Sequence, residues 1–351
     1  MLSENTVKNQ QLVNGEHLAA NQEKANSKQE LFSGTAKYVE RKATDIIPIP
    51  TFRSAKVNSS AVPELEFSRP KELKRLELLA GEKYVETEEI KLSASEPELY
   101  ERREIFAREG SDAELILAYS DSGELRTKRH TEVEIRAEAG SHLIIFLVQQ
   151  MSEQADSRMF VNVYLEPDSE VRMIIADSGA RTHRLDLKAD LQDRAIFDCQ
   201  GIYFGRGEES YDYNYELIHK GKLCRSNLLV NGALMDYAKK VFRATIDFRR
   251  GSSGSVGDES EYVTLLDDTV QSRAIPLLLS TEDNVEGNHA ASAGRLNPDM
   301  VFYVQSRGFT RREAEKMIIA SRFSNVIDLL PNSELKDAVL KDILTKLDSA
   351  D

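Results

Sequence analysis

From about residue 112 to residue 248 the chain is a series of short strand-like segments with no helical period between them. Many segments alternate with a period of two, as in residues 159–165, Met-Phe-Val-Asn-Val-Tyr-Leu. Turn residues such as Pro167-Asp168 separate them. The expected strands lie at 115–119, 142–148, 158–165, 171–176, 183–187, 196–204, 211–219, 223–230 and 240–248. This pattern predicts a mainly β core.

Two architectures are compatible with such a series. A sandwich or closed barrel favours hairpin turns and usually stays within about 250 residues. A β-solenoid instead stacks short strands in coils, each of which buries its apolar face against its neighbours. The strands recur every ten or so residues without a strict repeat motif. Periodicity alone therefore leaves both alternatives open.

The two ends differ from the core. Residues 1–110 are expected to form a mixed, partly helical module, because residues 1–45 are polar with loose helical spacing and prolines such as Pro48 and Pro50 then interrupt the chain. The core is expected to span residues 111–300. Residues 301–351 predict a helical C-terminal module with a capping box at Thr310–Glu313. Its apolar stripe, which indicates internal packing, comprises Leu335, Val339, Ile343, Leu344 and Leu347.

Composition excludes several classes of function. The formal net charge of -13 disfavours general attraction to nucleic acid or anionic membranes. The two cysteines, Cys199 and Cys224, provide neither a disulfide framework nor a CxxC zinc motif. Residues 3–11 are polar and unlike a signal peptide, and the longest apolar runs are too short to span a bilayer. A cytoplasmic location is therefore expected, with no nucleic-acid or membrane partner.

Few residues suggest chemistry on their own. The glycine-rich segment 251–257 lacks the Gly-Lys-Ser/Thr ending of a Walker A loop, so a turn is expected there and any ATP hydrolysis must occur in a partner. Cys199 and Cys224 lie in expected strands, where free cysteines are usually buried. His289 lies among small residues near a module junction and is the candidate metal ligand, although a lone histidine is more often a structural hydrogen-bonding group. No Ser-His-Asp order or HExxH spacing indicates a catalytic site.

The segment from Asn227 to Phe323 resembles the SufB/SufD family of iron–sulfur cluster assembly proteins, and is most similar to its SufD side. The resemblance depends on five sequence motifs in a matching order. They are F-R-A-T-I-D-F at 242–248, L-L at 265–266, P-L-L-L at 276–279, V-E-G-N-H-A-A-S-A-G at 285–294 and F-Y-V-Q-S-R-G-F at 302–309.

The resemblance implies a right-handed parallel β-helix core between helical terminal modules. It also implies a non-catalytic scaffold subunit of the SUF complex, which helps to build and transfer nascent clusters. A SufB-type chain or a second copy would pair with it through the β-helix, and the C-terminal helices would dock a SufC-type ATPase. An iron–sulfur cluster would form transiently at the partner interface, and this chain would bind no nucleotide.

One position departs from the family pattern. Many members carry a cysteine two positions before the histidine, where this chain has Gly287. The resemblance therefore implies that His289 is the ligand available here and that thiolates come from the partner. Two alternatives remain open. One is a homodimeric SufBD-like interaction protein without cluster ligation, and the other is a β-helix enzyme acting on polysaccharide.

Overall fold

The computed structural model describes residues 36–42, 70–81, 83–123 and 125–348. Three helices follow the strands: α1 (Pro298–Gln305), α2 (Arg311–Ile327) and α3 (Ser333–Asp348). The strands are β1 (Ala36–Lys42), β2 (Glu72–Leu78), β3 (Tyr84–Leu92), β4 (Glu98–Ala107), β5 (Asp112–Asp121), β6 (Lys128–Ala137), β7 (His142–Gln150), β8 (Asp156–Leu165), β9 (Glu170–Ser178), β10 (Thr182–Leu191), β11 (Ile196–Gly205), β12 (Ser210–His219), β13 (Arg225–Leu234), β14 (Lys239–Phe248), β15 (Ser255–Leu265), β16 (Gln271–Ser280) and β17 (Val285–Arg295).

The strands from β2 onward alternate between two parallel sheets. Even-numbered strands pair in the order β2-β4-β6 through β16, and odd-numbered strands pair from β3 through β17, while β1 adds antiparallel to β2. Successive coils are 26 to 32 residues apart, as the pairings of Thr182 with Asp156 and of Lys239 with Gln271 show. These eight coils form a parallel β-solenoid, which confirms one of the two open architectures and excludes the sandwich.

The period-two alternation explains how each coil is buried. In β9, Val171, Met173 and Ile175 point into the cluster between the two sheets, whereas Ile174 and Ala176 point outward. The same division holds along the odd-numbered sheet. Each coil thus adds a layer to one continuous interior, and a full side chain buried there contributes about 1.5–3 kcal/mol.

A recurring turn follows the even strands β4, β6, β8 and β10 and joins each of them to the next odd strand. Its third residue has a positive φ of 67° at Gly110, 63° at Gly140, 61° at Asp168 and 58° at Arg194. The amide one residue later donates back to a carbonyl three residues before it, as from Ser141 to Glu138. The coils therefore share a backbone repeat that different residue types satisfy, so the sequence shows no strict motif.

The C-terminal helices cover the outer face of the odd-numbered sheet. Phe323 of α2 and Ile343 of α3 pack against a cluster that includes Ile174 and Phe204. The predicted capping box is present, since Thr310 accepts from the Glu313 amide and the Glu313 carboxylate accepts from the Thr310 amide. The stripe beginning at Leu335 belongs to this same cluster, which confirms its interpretation as internal packing.

The solenoid begins earlier than the expected boundary at residue 111. Strands β2 to β4, within residues 72–107, already pair in the two sheets, and α1 begins at Pro298 rather than at residue 301. The apolar alternation of these strands is obscured by charged residues that pair across coils, as when Arg103 of β4 lies 2.7 Å from Glu88 Oε1 of β3. Helical structure was expected within residues 1–45. Of these the structure describes only residues 36–42, which form strand β1, and the others lie outside the described residues.

None of the described helices combines the length and apolar character needed to cross a membrane.

Candidate functional site

His289 lies on β17, the last strand of the odd-numbered sheet. Val285 packs against the interior cluster, and a Cβ at Gly287 would lie 3.0 Å from the interior ring of Phe248. Because side chains two residues apart share a face, His289 also projects from the interior face. Within the described residues no strand pairs with the outer edge of β17, so this end of the solenoid is open. His289 is exposed there.

Gly287, two residues before His289, lies close to the Leu278 side chain. A Cβ there would lie 2.7 Å from Leu278 Cδ1, closer than side-chain carbons normally approach. The Leu278 side chain therefore occupies the space that a longer residue at 287 would need. A cysteine at this position would require the end of the Leu278 side chain to move.

A buried ion pair lies inside the final coils. Lys240 Nζ is 2.7 Å from Glu261 Oε1 and 2.8 Å from Oε2, and the Tyr203 hydroxyl donates to Oε1 at 3.0 Å. Burial lowers the pKa of Lys240 and raises that of Glu261, while their pairing opposes both shifts. Gly232 leaves room for the Tyr203 ring, since a Cβ would lie 2.0 Å from it.

Glu259 lies two residues before Glu261, on the same face of β15. Its side chain is buried, and in the described part of the chain neither carboxylate oxygen has a hydrogen-bond partner. Burial, with a smaller effect from the neighbouring Glu261 carboxylate, raises its pKa to about 8. In the parallel pairing of β15 with β17, Glu259 is the register partner of His289.

The two cysteines lie in earlier coils of the solenoid, with Cys199 on β11 and Cys224 just before β13. Both are fully buried, and burial raises the pKa of each thiol. Cys224 Sγ donates to the Gln192 and Gly221 carbonyls at 3.0 and 3.1 Å. Neither thiol is therefore poised as a thiolate. This supports leaving both cysteines out of the ligand set.

The glycine-rich segment and two acidic residues near the open end are part of the solenoid turns. Gly251 and Gly254, with φ of 101° and 77°, form the turn between β14 and β15. The Gly251 amide donates to Glu282 Oε2 at 2.9 Å, and the Asp236 amide donates to Asp267 Oδ2 at 2.7 Å. These acids bind turn amides of the preceding coil. Across the described residues no group of three or more His, Cys, Asp or Glu side chains is arranged to hold a metal ion.

Sequence reasoning missed Lys240, Glu259 and Glu261. The signal was available in β15, where Gly257, Glu259, Glu261 and Val263 alternate with partly exposed residues. A strand that places two carboxylates on the same face as a core valine predicts buried acids. Such acids either pair with a cation inside the protein or are kept neutral by a raised pKa.

Two apolar surfaces remain exposed near this end. Leu277, Leu278 and Leu279 lie on β16, the terminal strand of the even-numbered sheet. On α1, Phe302 is 72% exposed and Tyr303 is 59% exposed. Exposed aromatic side chains in a group are typical of protein interaction sites.

The comparisons identify the class to which this fold belongs. A model of the SufBD core domain of the SUF iron–sulfur cluster assembly system matches residues 90–322, more than half of the chain. The chain therefore belongs to the SufBD family.

Individual relatives agree with this assignment. Iron-sulfur cluster assembly protein SufD of Bacillus subtilis is 31% identical over 155 residues, covering 44% of this chain and 36% of that protein. Iron-sulfur cluster assembly protein SufD of Escherichia coli is 27% identical over 131 residues, covering 37% and 31%. A SufBD family protein of Staphylococcus haemolyticus is 21% identical over 222 residues, covering 63% and 48%. The chain is thus SufD-like, and it spans less than half the length of these relatives in each match.

Proposed function

We propose that this chain is a non-catalytic scaffold subunit of a cytoplasmic SUF complex, which holds nascent iron–sulfur clusters at an interface with a partner. The match to the SufBD core domain over residues 90–322 carries the proposal, since it includes the open end where His289 lies. Iron and sulfide are the cargo of such a scaffold. Neither nucleic acid nor a membrane is part of the proposed function.

The open end of the solenoid supports association with a SufB-type chain or a second copy. Strands β16 and β17 each present an outer edge that no described strand occupies. An unpaired edge with exposed leucines beside it is a template for pairing with another chain. The exposed residues Leu277 and Leu279 would be buried by that partner. His289 would then lie at the interface, where the partner supplies the thiolates that clusters prefer.

The C-terminal helices support docking of a SufC-type ATPase. Helices α2 and α3 are fixed to the solenoid by the cluster around Phe323 and Ile343, so they form a rigid base. Helix α1 and its neighbours carry the exposed apolar residues Met300, Phe302, Tyr303, Phe309 and Met317. Because the glycine-rich segment 251–257 has no Walker A ending and forms a turn followed by the start of β15, ATP hydrolysis is assigned to the docked partner.

Gly287 supports a second candidate, an interaction protein that forms a homodimer without ligating a cluster. Glycine at this position supplies no side-chain ligand atom, and the Leu278 side chain fills the space beside it. The two candidates share the β-solenoid interface and differ in whether His289 binds iron. They are therefore distinguished by cluster content rather than by association.

Substituting Phe302 by aspartate should weaken capture of a SufC-type ATPase at least tenfold, because an interface anchor of this type contributes about 2 kcal/mol or more. The measurement is copurification of the full chain with the ATPase, followed by titration of the purified pair. Tyr237→Asp is the matched control, since Tyr237 is 61% exposed but lies in the turn between β13 and β14. Failure of the unaltered chain to bind any SufC-type ATPase would overturn the proposed function.

A further inference from the structure

A cluster of polar side chains interrupts the apolar interior in the middle coils of the solenoid. The interior faces of strands β6 to β10 are apolar along most of their length. Where β6, β8 and β10 begin and β7 and β9 end, the same faces instead carry Arg129, Gln149, Ser157, Asp177 and His183. Each of these five residues is 5% exposed or less. Polar side chains buried to this degree are normally matched by partners inside the protein.

Arg129 is a buried cation without a counter-ion in contact. Its Nη2 donates to Gln149 Oε1 at 2.5 Å and to Ser157 Oγ at 2.8 Å, and both acceptors are neutral. The Tyr119 ring lies beneath the guanidinium, with 4.1 Å between Arg129 Cζ and the ring centroid. Among the described residues no carboxylate oxygen lies within 4.0 Å of the guanidinium. Fully buried arginines are rarely left unpaired, because an isolated buried charge is costly.

Two hydrogen-bond donors of this cluster are free. Within the described chain neither Arg129 Nη1 nor Gln149 Nε2 has a hydrogen-bond partner. The orientation of the Gln149 amide follows from its contacts, because its oxygen accepts from Arg129 and Ser157 and an arginine cannot accept. Both side chains line a cavity of about 10 Å³, which is room for one group of about the size of a water molecule.

The acid that lines the same cavity has other partners. Asp177 Oδ2 lies 3.3 Å from His183 Nε2 and accepts from the Tyr213 hydroxyl at 3.2 Å. Glu101, in the preceding coil, lies 2.8 Å from the guanidinium of Arg103. Neither carboxylate therefore neutralises the guanidinium in the cavity by direct contact. A water molecule could accept from the free donors, but it would leave the positive charge uncompensated.

We propose that this cavity binds one small monovalent anion, such as chloride, between the Arg129 guanidinium and the Gln149 amide. Such an anion accepts from both free donors and balances the buried charge. Because β6 and β7 belong to the two facing sheets, the anion joins the sheets inside the solenoid. A ligand that binds only the folded chain stabilises it, and the effect grows with the logarithm of the ligand concentration. This inference is independent of the proposed function.

The test is thermal unfolding of the full-length chain as chloride replaces gluconate at constant ionic strength. The melting temperature of the unaltered chain should rise by about 2 °C for each tenfold increase in chloride above the dissociation constant. Crystals grown in bromide should show one anomalous scatterer beside Arg129 Nη1. A melting temperature independent of chloride, or a cavity that holds only water in bromide crystals, would overturn the inference.

Gln149→Glu places a carboxylate oxygen where the amide nitrogen is now free, with little change in side-chain shape. Without chloride this variant should melt at a higher temperature than the unaltered chain, and its melting temperature should not depend on chloride. Gln150→Glu is the matched control, because it makes the same charge change on the opposite face of β7, where the Gln150 amide donates to the Ala338 carbonyl at 3.1 Å. It should keep the chloride dependence. A Gln149→Glu chain that melts below the unaltered chain without chloride, or an equal loss of chloride dependence in Gln150→Glu, would contradict the anion site.

Discussion

Replacing Lys240 with methionine is expected to lower the free energy of unfolding by about 3–5 kcal/mol, because it leaves the Glu261 carboxylate buried without its cation. Both side chains are 1% exposed or less, and Lys240 Nζ contacts both oxygens of Glu261. Methionine preserves most of the length of the lysine side chain, so loss of packing contributes little. Denaturant unfolding followed by circular dichroism measures the difference.

A double substitution separates charge from packing. Lys240→Met with Glu261→Gln removes both charges and retains an oxygen that can accept from the Tyr203 hydroxyl. We expect the double variant to recover most of the loss, since a buried pair is often replaceable by neutral groups at little cost. If the double variant is as unstable as Lys240→Met, the destabilisation arises from packing and the ion-pair explanation is wrong.

Acidification should destabilise the chain through His219, with an effect of about 3 kcal/mol between pH 6.5 and 4. Burial lowers the pKa of this imidazole to about 4. Its Nε2 lies 2.8 Å from Ser226 Oγ, its Nδ1 has no hydrogen-bond partner among the described residues, and its ring packs against Phe248. As the pH falls below 6.5, the unfolded chain binds a proton that the folded chain rejects. The contribution of neutral His219 to the free energy of unfolding is therefore complete above pH 6.5 and is lost as the pH falls toward 4.

His219→Gln isolates this contribution, because glutamine can keep a hydrogen bond to Ser226 but does not titrate. Between pH 7 and pH 5 the unfolding free energy of the unaltered chain should fall by about 2 kcal/mol more than that of the variant. His142→Gln is the control, since His142 is a largely exposed histidine at the start of β7. Parallel pH profiles for the unaltered and His219→Gln chains would show that His219 titrates normally.

The core strands and the helical end were predictable from local pattern. Residues 159–165 alternate because one face of β8 is interior, and Thr310 and Glu313 satisfy helix amides wherever they occur at this spacing. The coil repeat was not predictable in the same way. Glycine, aspartate and arginine all occupy the positive-φ turn position, so the repeat exists in the backbone and not in residue identity.

The candidate site, too, was predictable only in part from local sequence. His289 could be selected from its small neighbours, and family resemblance gave it a role. Glu259 could not, because its significance depends on two facts of the fold: burial without a partner and register with β17. The early coils were missed for a related reason, since the Arg103–Glu88 pair joins residues from different coils and makes charged positions compatible with burial.

The most direct test of the scaffold assignment is anaerobic reconstitution of this chain with a SufC-type ATPase, a SufB-type partner, ferrous iron and sulfide, comparing the unaltered chain with His289→Ala. Cluster content per complex is the measurement, and Asn288→Ala, on the opposite face of β17, is the control. We predict that His289→Ala assembles the same complex but retains less than a tenth of the cluster, whereas Asn288→Ala retains it. Equal yield of the same cluster with His289→Ala would contradict the ligand role at the centre of the account.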